Sequence, residues 1–172
     1  MKKNYILFVI ILLFCSKIHA ITFDYVSDVI SENFFQHAVT ADFNRDGNPD
    51  IAVACNGAIE IYSGNQQSPH FTKVKVISVT GQLTFIISSD FNRDGIPDIA
   101  VSSYSYPEKF SVLIGNGDFT FQQPLNYSAG SYPKGMVSSD FNRDGKPDIA
   151  VVSYDSGFFC YLGNGDGTFN LA

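Results

Sequence analysis

The sequence predicts an all-β fold of three propeller-type blades, each of four antiparallel strands, forming either an open partial propeller or half of a six-bladed ring. Three observations predict it. A nine-residue loop, Asp-Phe-Asn-Arg-Asp-Gly-x-Pro-Asp, occurs three times, starting at Asp42, Asp90 and Asp140. Each copy runs into the same apolar segment: Ile51-Ala52-Val53, Ile99-Ala100-Val101 and Ile149-Ala150-Val151. Helical periodicity is absent, and short strand-like runs alternate with Gly-rich turns.

The loops are 48 and 50 residues apart, the size of one propeller blade. The unit around the third loop shows the strands. Phe121 to about Tyr127 reads as an edge strand and Gly135 to Asp140 as the next. The Asp loop turns the chain into Asp148–Tyr154, which is followed by Phe158–Leu162. Gly163-Asn164-Gly165-Asp166-Gly167 then supplies the positive φ of a tight turn. Gly64-Asn65 and Gly115-Asn116 hold the same place in the other copies. A strand with one wet face alternates apolar and polar residues, but the Ile-Ala-Val runs do not, so both faces are covered. Stacked blades provide that cover.

The first twenty residues read as a secretory signal. Lys2 and Lys3 precede an eleven-residue apolar run, Tyr5–Cys15, and the segment ends on the small residue Ala20. The run falls short of the ~20 residues that span a bilayer. Residues 21–172 are then the mature, secreted repeat domain. Without Lys2, Lys3 and Lys17 it keeps 8 basic residues against 17 acids, a formal charge of −9. That excludes the basic face needed for nucleic acid. Nine of the acids lie in the three loops.

The loops have the chemistry of a calcium site. Ca²⁺ is a hard cation that takes six to eight oxygens. Positions 1, 3 and 5 offer Asp42, Asn44 and Asp46; Asp90, Asn92 and Asp94; and Asp140, Asn142 and Asp144. Position 6 is always Gly, which allows the sharp turn. Position 9 adds Asp50, Asp98 or Asp148. Position 7 varies as Asn48, Ile96 and Lys146, so it can serve only through its backbone carbonyl. About three ions are expected, one per loop. The loop is not an EF-hand, which needs Glu at position 12 where this chain has Val53, Val101 and Val151. Oxygen-only donors exclude a zinc-type site. Arg45, Arg93 and Arg143 are expected to point away from the ion, and Phe43, Phe91 and Phe141 to wedge into the blade cores.

These three loops, in register, resemble the FG-GAP/VCBS repeat, the repeat of the integrin α-subunit propeller, and the resemblance spans essentially the whole mature chain. It implies that each loop joins the two inner strands of a blade and holds one Ca²⁺, and that the protein is a secreted interaction or adhesion-type module. Some propellers with similar loops bind glycans, so a lectin-like module is the alternative. An accessory fragment of a secreted hydrolase is a third reading.

No catalytic constellation is present in the sequence, and the chain is read as a non-enzyme. His37 and His70 occupy non-equivalent places, and no Ser belongs to a nucleophile elbow. Ser103-Tyr104-Ser105-Tyr106-Pro107, Tyr127–Pro133 and Tyr154-Asp155-Ser156 suit adaptable binding surfaces and equally suit ordinary turns. The expected partner is an extracellular protein or glycan. Asn126-Tyr127-Ser128 is a glycosylation sequon, which if used marks surface loop. Cys55 and Cys160 fall on different strands two blades apart. A disulfide needs Cα atoms within about 7 Å, so both are expected as free thiols.

The chain starts near Phe23 in the phase of an outer strand and ends at Phe169-Asn170-Leu171-Ala172 as the next begins. The last blade is thus expected to lack its outer strand. Propellers run to 4–8 blades. Three blades form either an open arc or, with a second copy head to tail, a six-bladed ring in which each N-terminal strand completes the partner's last blade.

Overall fold

The structure is a computed structural model that describes residues 36–66, 71–104 and 109–172. The signal segment, Phe23, His70 and Ser105-Tyr106-Pro107 lie outside the described residues. Ten strands follow in order: β1 (His37–Ala41), β2 (Asp50–Gly64), β3 (Phe71–Ser89), β4 (Asp98–Ser103), β5 (Lys109–Leu113), β6 (Leu125–Ser128), β7 (Pro133–Ser139), β8 (Asp148–Ser153), β9 (Gly157–Gly163) and β10 (Phe169–Leu171). The described residues contain no helix. A strongly curled six-stranded sheet runs β1-β2-β3-β4-β5-β6, and a four-stranded sheet runs β10-β9-β8-β7.

The long strands β2 and β3 each hold two strands of the repeat. Fully extended, fourteen steps of β2 would cover roughly 46 Å. Yet the Gly64 N–H donates to Asp50 Oδ1 at 2.9 Å, so β2 folds back on itself. The bend is at Asn56-Gly57, where Gly57 has φ +78°, the left-handed geometry of a tight hairpin. The first half of β2 pairs with β1 and the second half with the first half of β3. β3 passes from the first blade to the second at Gly81, φ +107°, and its second half pairs with β4. The result is three four-stranded blades in an open partial propeller. Register repeats between them: Ala41 pairs with Asp50, Ser89 with Asp98 and Ser139 with Asp148.

Alternation along each central strand serves two interfaces at once. Ala52 and Ala54 join Phe43, Ile59 and Ile61 in a core with Ile86, Ile99, Val101 and Leu113 of the second blade. Ala100, Phe91, Phe110 and Val112 meet Met136, Ile149, Val151 and Tyr161 of the third. On the other side of the first blade, Ile51, Val53, Cys55 and Tyr62 form a third cluster. The unalternating apolar run of β4 therefore marks a central strand covered on both faces, whereas Val152 of β8 is half exposed.

Three expectations are corrected. The outer strand of the second blade is Leu125–Ser128 rather than Phe121–Tyr127; Phe121 makes an isolated bridge to Gly115. Pro124, which has no N–H, stands between the bridge and the ladder. The last blade does have an outer strand, the three-residue β10, paired with β9 from Phe169–Gly163 to Leu171–Tyr161. Phe43 and Phe91 are buried as expected, but Phe141 is half exposed. Cys55 and Cys160 are both free thiols.

The Gly of each Gly-Asn turn is fixed by a close approach. A Cβ on Gly64 would sit 2.0 Å from the Pro49 carbonyl oxygen, on Gly115 2.4 Å from that of Pro97, and on Gly163 2.1 Å from that of Pro147. No side chain fits such a distance to backbone. Gly64→Ala and Gly163→Ala should each destabilise by about 1–3 kcal/mol, the usual cost of overpacking. Gly135→Ala, which meets nothing within 4 Å, should leave the urea midpoint nearly unchanged.

Candidate metal centre

Each Asp loop joins the innermost strand of a blade to the next: β1 to β2, β3 to β4 and β7 to β8. In the first loop, Asp42 Oδ1 accepts the Asp46 N–H at 3.0 Å and Oδ2 accepts the Gly47 N–H at 2.8 Å. Asn44 Oδ1 accepts the same Asp46 N–H at 3.1 Å, and Asp46 Oδ1 accepts the Asn48 N–H at 2.8 Å. The second and third loops repeat these bonds with Asp90, Asn92 and Asp94, and with Asp140, Asn142 and Asp144. Oxygens of positions 1, 3 and 5 are thereby turned to the inside of one tight loop. The Asn44 amide donates to Asp46 Oδ2 and holds that carboxyl below the usual carboxylate range.

The loop needs two left-handed residues. Gly47, Gly95 and Gly145 at position 6 have φ of 85°, 81° and 81°. Position 4 is also left-handed, with φ of 61°, 64° and 63° at Arg45, Arg93 and Arg143. All three arginines are exposed. The stems of two reach the next blade: Cβ atoms on Gly117 and Gly165 would lie 3.1 Å from Arg45 Cδ and 3.4 Å from Arg93 Cδ. Lys146, at position 7, pairs with Asp144 at 3.4 Å.

Position 9 has a role that the sequence reading missed. Asp50, Asp98 and Asp148 are fully buried. The Asp50 carboxylate accepts the Phe43 N–H at 2.8 Å with one oxygen and the Gly64 N–H at 2.9 Å with the other. Asp98 does the same with Phe91 and Gly115, both at 2.8 Å. Asp148 binds Phe141 at 2.9 Å and Gly163 at 2.8 Å. One side chain thus clamps the start of its own loop to the Gly-Asn turn. Burial raises the Asp50 carboxyl; its two backbone donors oppose this, and the charges of Asp46 and Asp42 add to it. Burial pushes Asp98 up to about 6. The only sequence signal for the clamp was the constant Gly of Gly-Asn.

The donors suit an oxygen-seeking cation. Each loop offers two exposed or half-buried carboxylates and one amide oxygen, a position-7 carbonyl, and the position-9 carboxylate beneath. Three acidic side chains do not converge on one point among the described residues. In each loop the position-3 amide stands between positions 1 and 5.

With this geometry, the profile of the FG-GAP-like repeat matches three times, at residues 42–101, 90–151 and 140–172. The chain belongs to the FG-GAP-like repeat family. Each match begins at position 1 of an Asp loop, after the innermost strand of a blade, and the first two run on through the Asp loop into the central strand of the next blade. A comparison with curated proteins finds no match.

Other residues singled out by sequence lie elsewhere. His37 is exposed; its Nδ1 lies 3.0 Å from the Ile86 carbonyl oxygen and its ring 4.9 Å from that of Phe85. Asn126 is exposed on strand β6, not in a loop, and accepts the Ser111 hydroxyl at 2.7 Å. Tyr104 and Tyr132 stack at 5.6 Å.

Asp98→Asn puts an amide donor against a backbone N–H and should cost about 1–3 kcal/mol in calcium-free buffer. Asp94→Asn, on the exposed rim, should leave the calcium-free urea midpoint unchanged. Paired denaturation curves check both.

Proposed function

We propose that this FG-GAP-repeat chain is a secreted, non-enzymatic interaction module stabilised by calcium, with one ion per loop. The observation that carries the reading is the threefold recurrence of one oxygen-lined loop with one hydrogen-bond pattern. In the first loop Asp42, Asn44 and Asp46 would hold the ion, with the Asn48 carbonyl and Asp50. In the second they are Asp90, Asn92, Asp94, Ile96 by its carbonyl, and Asp98. In the third they are Asp140, Asn142, Asp144, Lys146 by its carbonyl, and Asp148. The ion neutralises three formal negative charges per loop and ties two strands of a blade. The basic, apolar, small-residue order of residues 1–20 supports secretion. The partner is an extracellular macromolecule.

A specific feature favours a glycan as the alternative ligand. The stacked Tyr104 and Tyr132, 40% and 46% exposed, lie where the hairpins and blade connections gather. Beside them, Gln36, Asn56, Gln82, Thr84, Tyr104 and Lys134 line a recess of about 310 Å³. Aromatic faces with amide and hydroxyl groups suit sugar rings.

Calcium that binds the folded chain raises its apparent stability by mass action. The unfolding temperature should rise by several degrees between chelator and millimolar calcium, with half-saturation on the order of 10⁻⁴–10⁻³ M. Asp42→Asn and Asp140→Asn should each remove part of that rise. An unfolding temperature indifferent to calcium sinks the reading. A glycan array decides the ligand class: binding that is lost in Tyr132→Ala favours the sugar, and no bound glycan favours a protein partner.

A further inference from the structure

The arginine at loop position 4 offers no side-chain oxygen, yet it is held in left-handed backbone. Arg45, Arg93 and Arg143 have φ of 61°, 64° and 63°. A residue with a Cβ keeps that geometry only where its surroundings compensate. Part of the compensation lies inside the loop. The left-handed turn aims the Asp94 N–H back at Asp90 Oδ1 and Asn92 Oδ1, at 3.0 and 3.1 Å. Position 4 thereby sets the spacing of the oxygen-bearing residues on either side of it.

The rest comes from the next blade. A Cβ on Gly117 would meet Arg45 Cδ at 3.1 Å and Cγ at 3.6 Å, and one on Gly165 would meet Arg93 Cδ at 3.4 Å. The stems of the two arginines therefore rest on the third residue of the following Gly-Asn turn. Neither guanidinium has an ion-pair partner among the described residues, so the contact belongs to the methylenes. The turn also bonds the backbone of the preceding loop, because the Gly167 N–H donates to the Phe91 carbonyl oxygen at 3.2 Å.

The other side of each turn belongs to its own loop. Asp98 holds the Gly115 N–H and Asp148 the Gly163 N–H, both at 2.8 Å. Lys146 Cδ would lie 3.1 Å from a Cβ on Gly165 and Ile96 Cδ1 3.5 Å from one on Gly117. Each of these two turns is thus seated between two Asp loops. In the first blade, where no described loop stands before the turn, Gly64-Asn65 is followed by the exposed Gln66 in place of the glycine.

We propose that Arg45 and Arg93 are positioning residues that couple ion binding in one loop to the docking of the next blade. This coupling rests on the calcium reading and adds how a site acts on its neighbour. Packing of the stem on the following turn holds position 4 left-handed and presets positions 3 and 5 for the ion. By linkage, an ion that fixes those positions keeps the stem on the turn and strengthens the junction by the same factor.

The test is a calorimetric calcium titration of the full chain with the second loop as its working site. Asp42→Asn, Asp46→Asn, Asp140→Asn and Asp144→Asn together silence the other two and form the parent. Arg93→Lys keeps the methylenes, and Arg93→Asn removes them. A loop acting alone should prefer Asn, which enters left-handed backbone readily. Loss of a positive charge should also favour the cation. The coupling predicts the reverse: Arg93→Lys binds as the parent does, and Arg93→Asn binds about fivefold more weakly. Parent-level or tighter binding in Arg93→Asn overturns the coupling and leaves the calcium reading standing. Equal weakening in Arg93→Lys does the same. A wild-type chain that binds no calcium at millimolar concentration overturns both.

Discussion

The structure depends on one repeated interaction, the buried carboxylate at loop position 9. Asp50, Asp98 and Asp148 each accept two backbone N–H groups from distant points of the chain. A buried carboxylate is costly unless its oxygens are satisfied, and here each oxygen is. The bonds fix the entry to the Asp loop and pull the Gly-Asn turn against the loop's proline. That contact leaves no room for a Cβ. One residue thus sets the loop, the hairpin length and the closeness of two turns, three times over.

From this clamp the blades acquire their two faces. The loop entry carries Phe43 and Phe91 into the junction to the next blade. The strand that leaves the loop alternates Ile and Val toward one neighbour, Ala toward the other. Blade stacking is therefore directional, and the small Ala residues let the next sheet approach closely. The same pattern that buries Phe91 leaves Phe141 half exposed on the third blade.

Much of this was legible in the sequence because the chemistry leaves few choices. Oxygen-bearing side chains recur at positions 1, 3 and 5 and Gly at position 6, and position 7, which varies, enters the loop's hydrogen bonds through its backbone N–H. Blade size followed from the spacing of the loops. The rest depended on distance in space. Nothing local distinguishes Phe141 from Phe91, since their fates are set by what stands next to the blade. The role of Asp50 as a clamp was hidden because its second partner, Gly64, is fourteen residues away. Left-handed Arg45, Arg93 and Arg143 were unforeseen because Arg has no preference for that geometry; the stems of Arg45 and Arg93 instead line the turn of the next blade. The late start of β6 follows from Pro124, which has no N–H to give the ladder.

The loops and the clamps meet in one electrostatic arrangement. Burial raises the Asp50 carboxyl, and the charges of Asp46 and Asp42 add to the rise. A divalent cation inside the loop would relieve all three at once. The most direct measurement is the number of calcium ions bound per chain, by equilibrium dialysis of residues 21–172. The account predicts about three, falling by one when Asp90 and Asp94 are both replaced by Asn. A chain that binds no calcium at millimolar concentration, yet folds with the same β-sheet circular dichroism, would contradict it.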